Sequence, residues 1–131
     1  MHKGFMAAGA IFGGLAVALG AFGAHGLEQL TTDARIRHGF ETGAAYQLYH
    51  AFALLITALV YNHAPNQFIK WAGYFFIGGI LLFSGSLYLL TFLKIYESPG
   101  VRIIGPITPL GGLLLIGGWL CLLLGATRRQ N

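Results

Sequence analysis

Apolar positions fall into four long runs, at 5–24, 43–61, 71–93 and 109–126, separated by short polar stretches. None of the four runs contains Lys, Arg, Asp or Glu. A bilayer core about 30 Å thick takes roughly 20 residues of helix to cross, and each run is long enough. A membrane β-strand alternates apolar and polar positions, and unbroken apolarity contradicts that alternation. The pattern therefore predicts an all-α integral membrane four-transmembrane-helix bundle. Residues 1–131 form one membrane domain, with an interfacial segment at 25–42. Lys3 ahead of the first run and "GAFGA" at its end imitate a signal peptide. The run exceeds the roughly 7–15 apolar residues of such a segment, so it reads as a permanent span.

Boundary residues agree with this division. In "AHGLE" (24–28), Gly26 suits the left-handed position just past a helix, with Leu27 folding back on the last turn. "TTDAR" (31–35) offers Thr32 or Asp33 as an N-cap for a second helix that starts in the interface and bends at Gly39 or Gly43. "NHAPN" (62–66) reads as a turn, and "GPITPLGG" (105–112) places Thr108 as N-cap with Pro109 in the first helical position. Tyr61, Trp71, Tyr74 and Tyr96 lie near span ends, where an aromatic belt belongs.

Composition narrows the class further. Hydrophobic residues make up 56% and charged residues 9%, with a mean hydropathy of +0.68. Soluble domains carry about 25% charged residues, so this chain cannot coat a water-soluble surface. Its glycines are embedded among Leu, Ile and Phe, which excludes a disordered linker. The net charge of +4 comes from cations scattered at the edges of the apolar runs, the place for headgroup contacts. Membrane lipids are thus the expected partners, and nucleic acid is not. Cys121 lies inside a run and reads as a small hydrophobe.

Four spans place both termini and the 62–70 loop on one side, with Lys3, Lys70, Arg128 and Arg129. The other side holds Arg35, Arg37, Lys94 and Arg102, a tie of four against four. The bacterial cytoplasmic membrane with cytoplasmic termini is the expectation, and dual topology stays open.

Three runs share a glycine spacing: "GGLAVALG" (13–20), "GGILLFSG" (78–85) and "GGLLLIGG" (111–118). Seven residues is about two helical turns, so Gly13 and Gly20, Gly78 and Gly85, and Gly111 and Gly118 each face one way. Gly125 extends the last stripe. Small residues on one face let helices approach closely in lipid, within one bundle or, alternatively, in a homo-oligomer.

Plotted at about 100° per residue, the second run has a polar face of Gly43, Tyr46, Gln47, His50, Leu54, Thr57 and Tyr61. Ala45, Leu48, Phe52, Leu55, Ile56 and Leu59 lie opposite and are expected to face lipid. In the third run Ser84, Tyr88 and Thr91 share a face and are the expected partners of the polar one. An ionisable residue inside a span points to function by default. Neutral His50 also suits a structural role, joining the second helix to the third or first.

At the outer mouth lie His25, Glu28, His38 and Glu41, with His38 and Glu41 spaced to pair along a helix. Imidazole and carboxylate suit zinc, but this spacing matches no recognised metal motif, and no metal is assigned. Only His50 is deep, so axial haem ligation is not expected. No nucleophile, base and orienting group come together, and no Gly-rich phosphate loop follows a strand. The reading assigns no catalytic residue and no cofactor, and leaves any small-molecule ligand unknown.

"GAFGAHGL", "ETGAAYQLYHAFALL", "GGILLFSGSLYLL" and "GPITPLGGLLLIGGW", in that order, resemble the domain of unknown function 423 family of small bacterial membrane proteins. The resemblance covers essentially the whole chain. It implies a four-span inner-membrane protein and brings no activity. It also implies that His25, Gly26, Tyr46, His50, Gly85, Ser86, Pro106 and Pro109 belong to the family pattern.

Three functional readings follow. The first is a non-enzymatic bundle acting in envelope integrity or as a partner of other membrane proteins. The second is a small oligomeric transporter or channel using the polar face of the second helix. The third is a lipid- or quinone-binding module.

Overall fold

The computed structural model describes residues 2–129. Four helical spans are long and apolar enough to cross a membrane: Lys3–Gln29, Ala34–His63, Gln67–Ile95 and Val101–Thr127. No strand occurs among the described residues. The protein is an all-α integral membrane bundle.

Helix α1 (Lys3–His25) is capped by His2, whose Nδ1 accepts the Phe5 N–H at 3.0 Å while its ring stacks on Phe5. At its far end the expected left-handed Gly26 is corrected. Gly26 keeps right-handed helical angles (φ −73°, ψ −35°), because the chain tightens into a 3₁₀ turn, Leu27–Gln29, instead of reversing. Leu27 is fully buried there. Helix α2 (Ala34–His63) runs unbroken through Gly39 and Gly43, capped by Asp33, whose carboxylate accepts the Arg35 N–H at 2.9 Å.

The third span is two α-helices, α3 (Gln67–Gly79) and α4 (Gly85–Ile95), joined without a break by a π-helical turn, Ile80–Ser84. The Gly85 N–H reaches back to the Ile80 carbonyl, five residues away. Asn66 starts this span by accepting the Ile69 N–H, and its amide also donates to the Gly125 carbonyl at 3.1 Å. After α4 the chain turns through Glu97, which has φ 53°, with Ser98 N–H bonded to the Leu93 carbonyl.

A single-turn helix α5 (Val101–Ile104) leads into α6 (Ile107–Thr127). The expected cap at Thr108 is corrected. Because α5 feeds almost directly into α6, the helix begins two residues before Pro109, and the Thr108 hydroxyl pairs with Ser86 of α4 instead.

Packing follows sequence order. Helix α1 lies along α2, α2 along α3, the π turn and α4, and α6 along α3 and the π turn. Half of the most apolar window of the second span is buried in protein, against 17% for the first and last spans. The second span is therefore central, and the first and last offer wide faces to lipid. Phe5, Ala53, Leu54, Ala58, Ala72, Phe76, Ile80 and Leu115 form the core. Phe5 crosses to seat its ring on Gly73 of α3, tying the α1 terminus to the third span.

Candidate functional site

The central position of α2 decides which of its polar groups are sheltered. Gln47 and His50 are 4% and 6% exposed, and Gly43, Leu54 and Thr57 are also buried. On the opposite face Phe52, Ile56 and Leu59 are exposed to lipid, whereas the expectation is corrected for Ala45, Leu48 and Leu55, which are half-buried, Leu55 because it packs against Gly9 of α1.

Gln47 joins three helices. Its amide donates to the Phe12 carbonyl of α1 at 2.9 Å, and its Oε1 accepts the Tyr88 hydroxyl of α4 at 2.7 Å. One turn away, the Ser84 hydroxyl donates to the Gly43 carbonyl at 2.7 Å. Ser84 and Tyr88 thus meet α2. Thr91 is corrected: its hydroxyl donates to Leu87 of its own helix. Thr57 likewise donates to its own Ala53 carbonyl.

His50 packs on Phe76 of α3 but makes no hydrogen bond to the first or third helix. Its partner is Trp119 of α6, whose indole N–H donates to Nε2 at 3.0 Å. Nδ1 lies 2.7 Å from the Tyr46 carbonyl. An indole N–H only donates and a carbonyl only accepts, so these partners assign the neutral tautomer with the proton on Nδ1. Phe76 and Trp119 cross edge to face beside the imidazole. Sequence reasoning missed Trp119. The available signal was its position in the middle of an apolar run, away from the interfacial belt tryptophan prefers.

Tyr46 is also corrected. It is 42% exposed at the rim, because the ring leans outward over Tyr49 and Phe83 while its backbone carbonyl serves His50. Between Tyr46, His50, Phe83, Gly112, Leu115, Ile116 and Trp119 lies a groove of about 290 Å³ that opens toward lipid. A second groove of about 320 Å³ lies between α1 and α2, lined by Gly20, Gly23, Phe40, Glu41 and small apolar neighbours.

The mouth residues His25, Glu28, His38 and Glu41 are all exposed. Glu28 pairs with Arg37 at 3.4 Å; the expected His38–Glu41 pair is not formed. Among the described residues no three His, Cys, Asp or Glu side chains gather closely enough to hold a metal ion. The only buried side-chain polar atom without a partner among them is Arg37 Nε.

The glycines divide. Gly111 lies on the Phe83 backbone, Gly118 on the Phe76 ring and Gly125 on Ile69, so the α6 stripe faces the third span. A Cβ on Gly13 would meet only Ala51, at 3.8 Å, and one on Gly20 or Gly85 would meet nothing within 4 Å. The expected common face of Gly78 and Gly85 is corrected. The π turn between them adds a residue to the coil, so seven positions no longer return to one face. Gly79, one position on, is the close contact, against Leu115.

The profile of the family described as "Protein of unknown function (DUF423)" matches residues 19–112. The UPF0382 membrane protein of Staphylococcus epidermidis is 40% identical over 126 residues, 96% of this chain and 97% of the relative. YwdK of Bacillus subtilis is 40% identical over 127 residues, 96% and 98%. A UPF0382 membrane protein of Schizosaccharomyces pombe is 37% identical over 114 residues, 87% and 93%, so the relatives are not confined to bacteria. No solved structure matches the chain. Four ordered motifs, four spans and these full-length likenesses agree: the chain belongs to the DUF423 family of membrane proteins.

Proposed function

We propose that this protein is a non-enzymatic structural module of the bacterial cytoplasmic membrane, with both termini in the cytoplasm, that supports envelope integrity by docking other membrane proteins. The observation that carries this reading is the closure of its polar seam. Gln47, His50, Ser84, Tyr88 and Trp119 hydrogen-bond to one another or to backbone, and none carries a formal charge in this arrangement. Polar side chains in hydrocarbon serve as interhelical glue when all are paired, whereas a conduction path needs groups left free for a solute. The broad lipid-facing sides of α1 and α6 are surfaces available to a lateral partner.

The test is reconstitution of the full chain in proteoliposomes. The expected result is no pH-dependent solute or proton flux, with His50→Ala lowering the thermal unfolding midpoint. Flux that disappears in His50→Ala would overturn the reading in favour of a small transporter. A deletion strain is expected to gain sensitivity to membrane-perturbing detergents, and unchanged sensitivity would count against an envelope role.

A further inference from the structure

We propose that the His50–Trp119 hydrogen bond is an acid-released fastening: protonation of His50 frees Trp119, and with it the middle of α6, from α2. The inference rests on the paired geometry of the seam and not on the envelope role above.

The first argument is where α6 is held. Near its start the Thr108 and Ser86 hydroxyls pair across to α4. Near its end the Gly125 carbonyl accepts from the amide of Asn66, the cap of α3. Between these two, Trp119 in the middle of Ile107–Thr127 donates to His50 of α2. Neither terminal contact contains an ionisable group. The central one ends on an imidazole, the side chain whose charge changes closest to physiological pH. Acid therefore acts on the middle of α6 and leaves both of those ties intact.

The second argument is the chemistry of the bond. Nδ1 keeps its proton for the Tyr46 carbonyl at 2.7 Å, so Nε2 is the nitrogen left to accept. It is also the nitrogen that faces the Trp119 indole N–H at 3.0 Å. An added proton goes to Nε2, and the imidazolium then donates from both nitrogens. An indole N–H cannot accept. A proton on Nε2 and the Trp119 bond thus exclude each other. The fastened arrangement holds one proton fewer than the released one, so its share falls as pH falls.

The third argument is the surroundings. The rings facing His50 are Tyr46 on its own helix, Phe76 on α3 and Trp119 on α6, with Phe83 of the π turn beside the same groove. Tyr46 is the one titratable side chain among these, and no Lys, Arg, Asp or Glu lines the groove. No carboxylate stands there to neutralise an imidazolium in place. A charged group within a span turns toward water or the interface. The groove of about 290 Å³ gives the ring room to turn away from the indole. Tyr46, 42% exposed, lies one turn nearer the outer end of the apolar run and marks that direction.

The test uses full-length protein with isotope-labelled tryptophan in phospholipid bicelles, where Trp71 and Trp119 give two indole N–H resonances. Trp71→Phe assigns them. As pH falls from about 8 to about 4, a window that brackets an imidazole, the Trp119 resonance is expected to move upfield as its bond is lost. Trp71 is expected to hold its place. His50→Gln keeps an acceptor and removes the titration, so its Trp119 resonance is expected to stay constant. His38→Gln, at the mouth, is expected to titrate like the unsubstituted chain. A constant Trp119 resonance in the unsubstituted chain would overturn the proposal. So would a shift that survives in His50→Gln, or one abolished by His38→Gln. Loss of both resonances together would mean global acid unfolding and would also overturn it. The readout involves neither flux nor detergent sensitivity, so it and the tests of the structural role fail independently.

Discussion

Gln47 carries two interhelical hydrogen bonds on one side chain, to α1 and to α4, whereas Thr57, ten residues on and equally buried, bonds only within α2. Interhelical bonds in membranes average about 0.6 kcal/mol and reach about 1.7 kcal/mol. Gln47→Leu is therefore expected to lower stability by about 1–3 kcal/mol, because it breaks both links and orphans the Tyr88 hydroxyl. Thr57→Val, which removes no interhelical link, should cost less than about 1 kcal/mol. Denaturant titration in bicelles distinguishes the two, and equal losses would show that burial rather than bonding sets the cost. Periodicity placed both residues on one polar face. It could not say that one bond crosses between helices and the other stays local, since that depends on where neighbouring backbones lie.

At the scale of the helix, close approach separates glycines that look alike in sequence. A Cβ on Gly111 would run into the Phe83 backbone and reach the Leu82 carbonyl carbon at 2.7 Å, and backbone inside a packed helix cannot move aside. Gly111→Ala is expected to cost about 1–3 kcal/mol or more through overpacking. Gly20→Ala, with nothing within 4 Å, is expected to change stability by less than about 1 kcal/mol, toward stabilisation through helix propensity. Thermal unfolding of the two variants in one detergent checks the order, and a reversed order would place a partner on Gly20. The seven-residue spacing was equally visible at both sites. In the third span it misleads, because no single run of apolar residues announces the π turn at Ile80–Ser84 that shifts the helix face.

For the whole molecule, cations balance across the membrane: Lys3, Lys70, Arg128 and Arg129 at one end, Arg35, Arg37, Lys94 and Arg102 at the other. Arg128 lies 5.7 Å from the Phe68 ring centroid, and Arg37 pairs with Glu28, so each end of the bundle anchors cations locally. Orientation depends on Lys/Arg asymmetry near span ends, and added C-terminal charge can tip a balanced protein. Appending three lysines after residue 131 is expected to hold the C-terminus in the cytoplasm uniformly. The unextended chain, with its tied count, is the more sensitive of the two to removal of Lys3 or Lys70. Paired cytoplasmic and periplasmic reporters fused to the C-terminus read this directly. Identical reporter ratios before and after the extension would mean that something other than cation bias orients the protein.

Membrane residence, four crossings, an inward polar face on α2 and the Asp33 cap were legible in the chain itself. Each follows from local solvation or backbone chemistry, because hydrocarbon cannot solvate charge or an open backbone. The Trp119–His50 bond, the outward turn of Tyr46, the Ser86–Thr108 pair and the division of the glycines into close contacts and open positions were decided only by tertiary packing. These join residues as much as 69 positions apart, and no periodicity along one helix carries the rotation and depth of the helix packed against it.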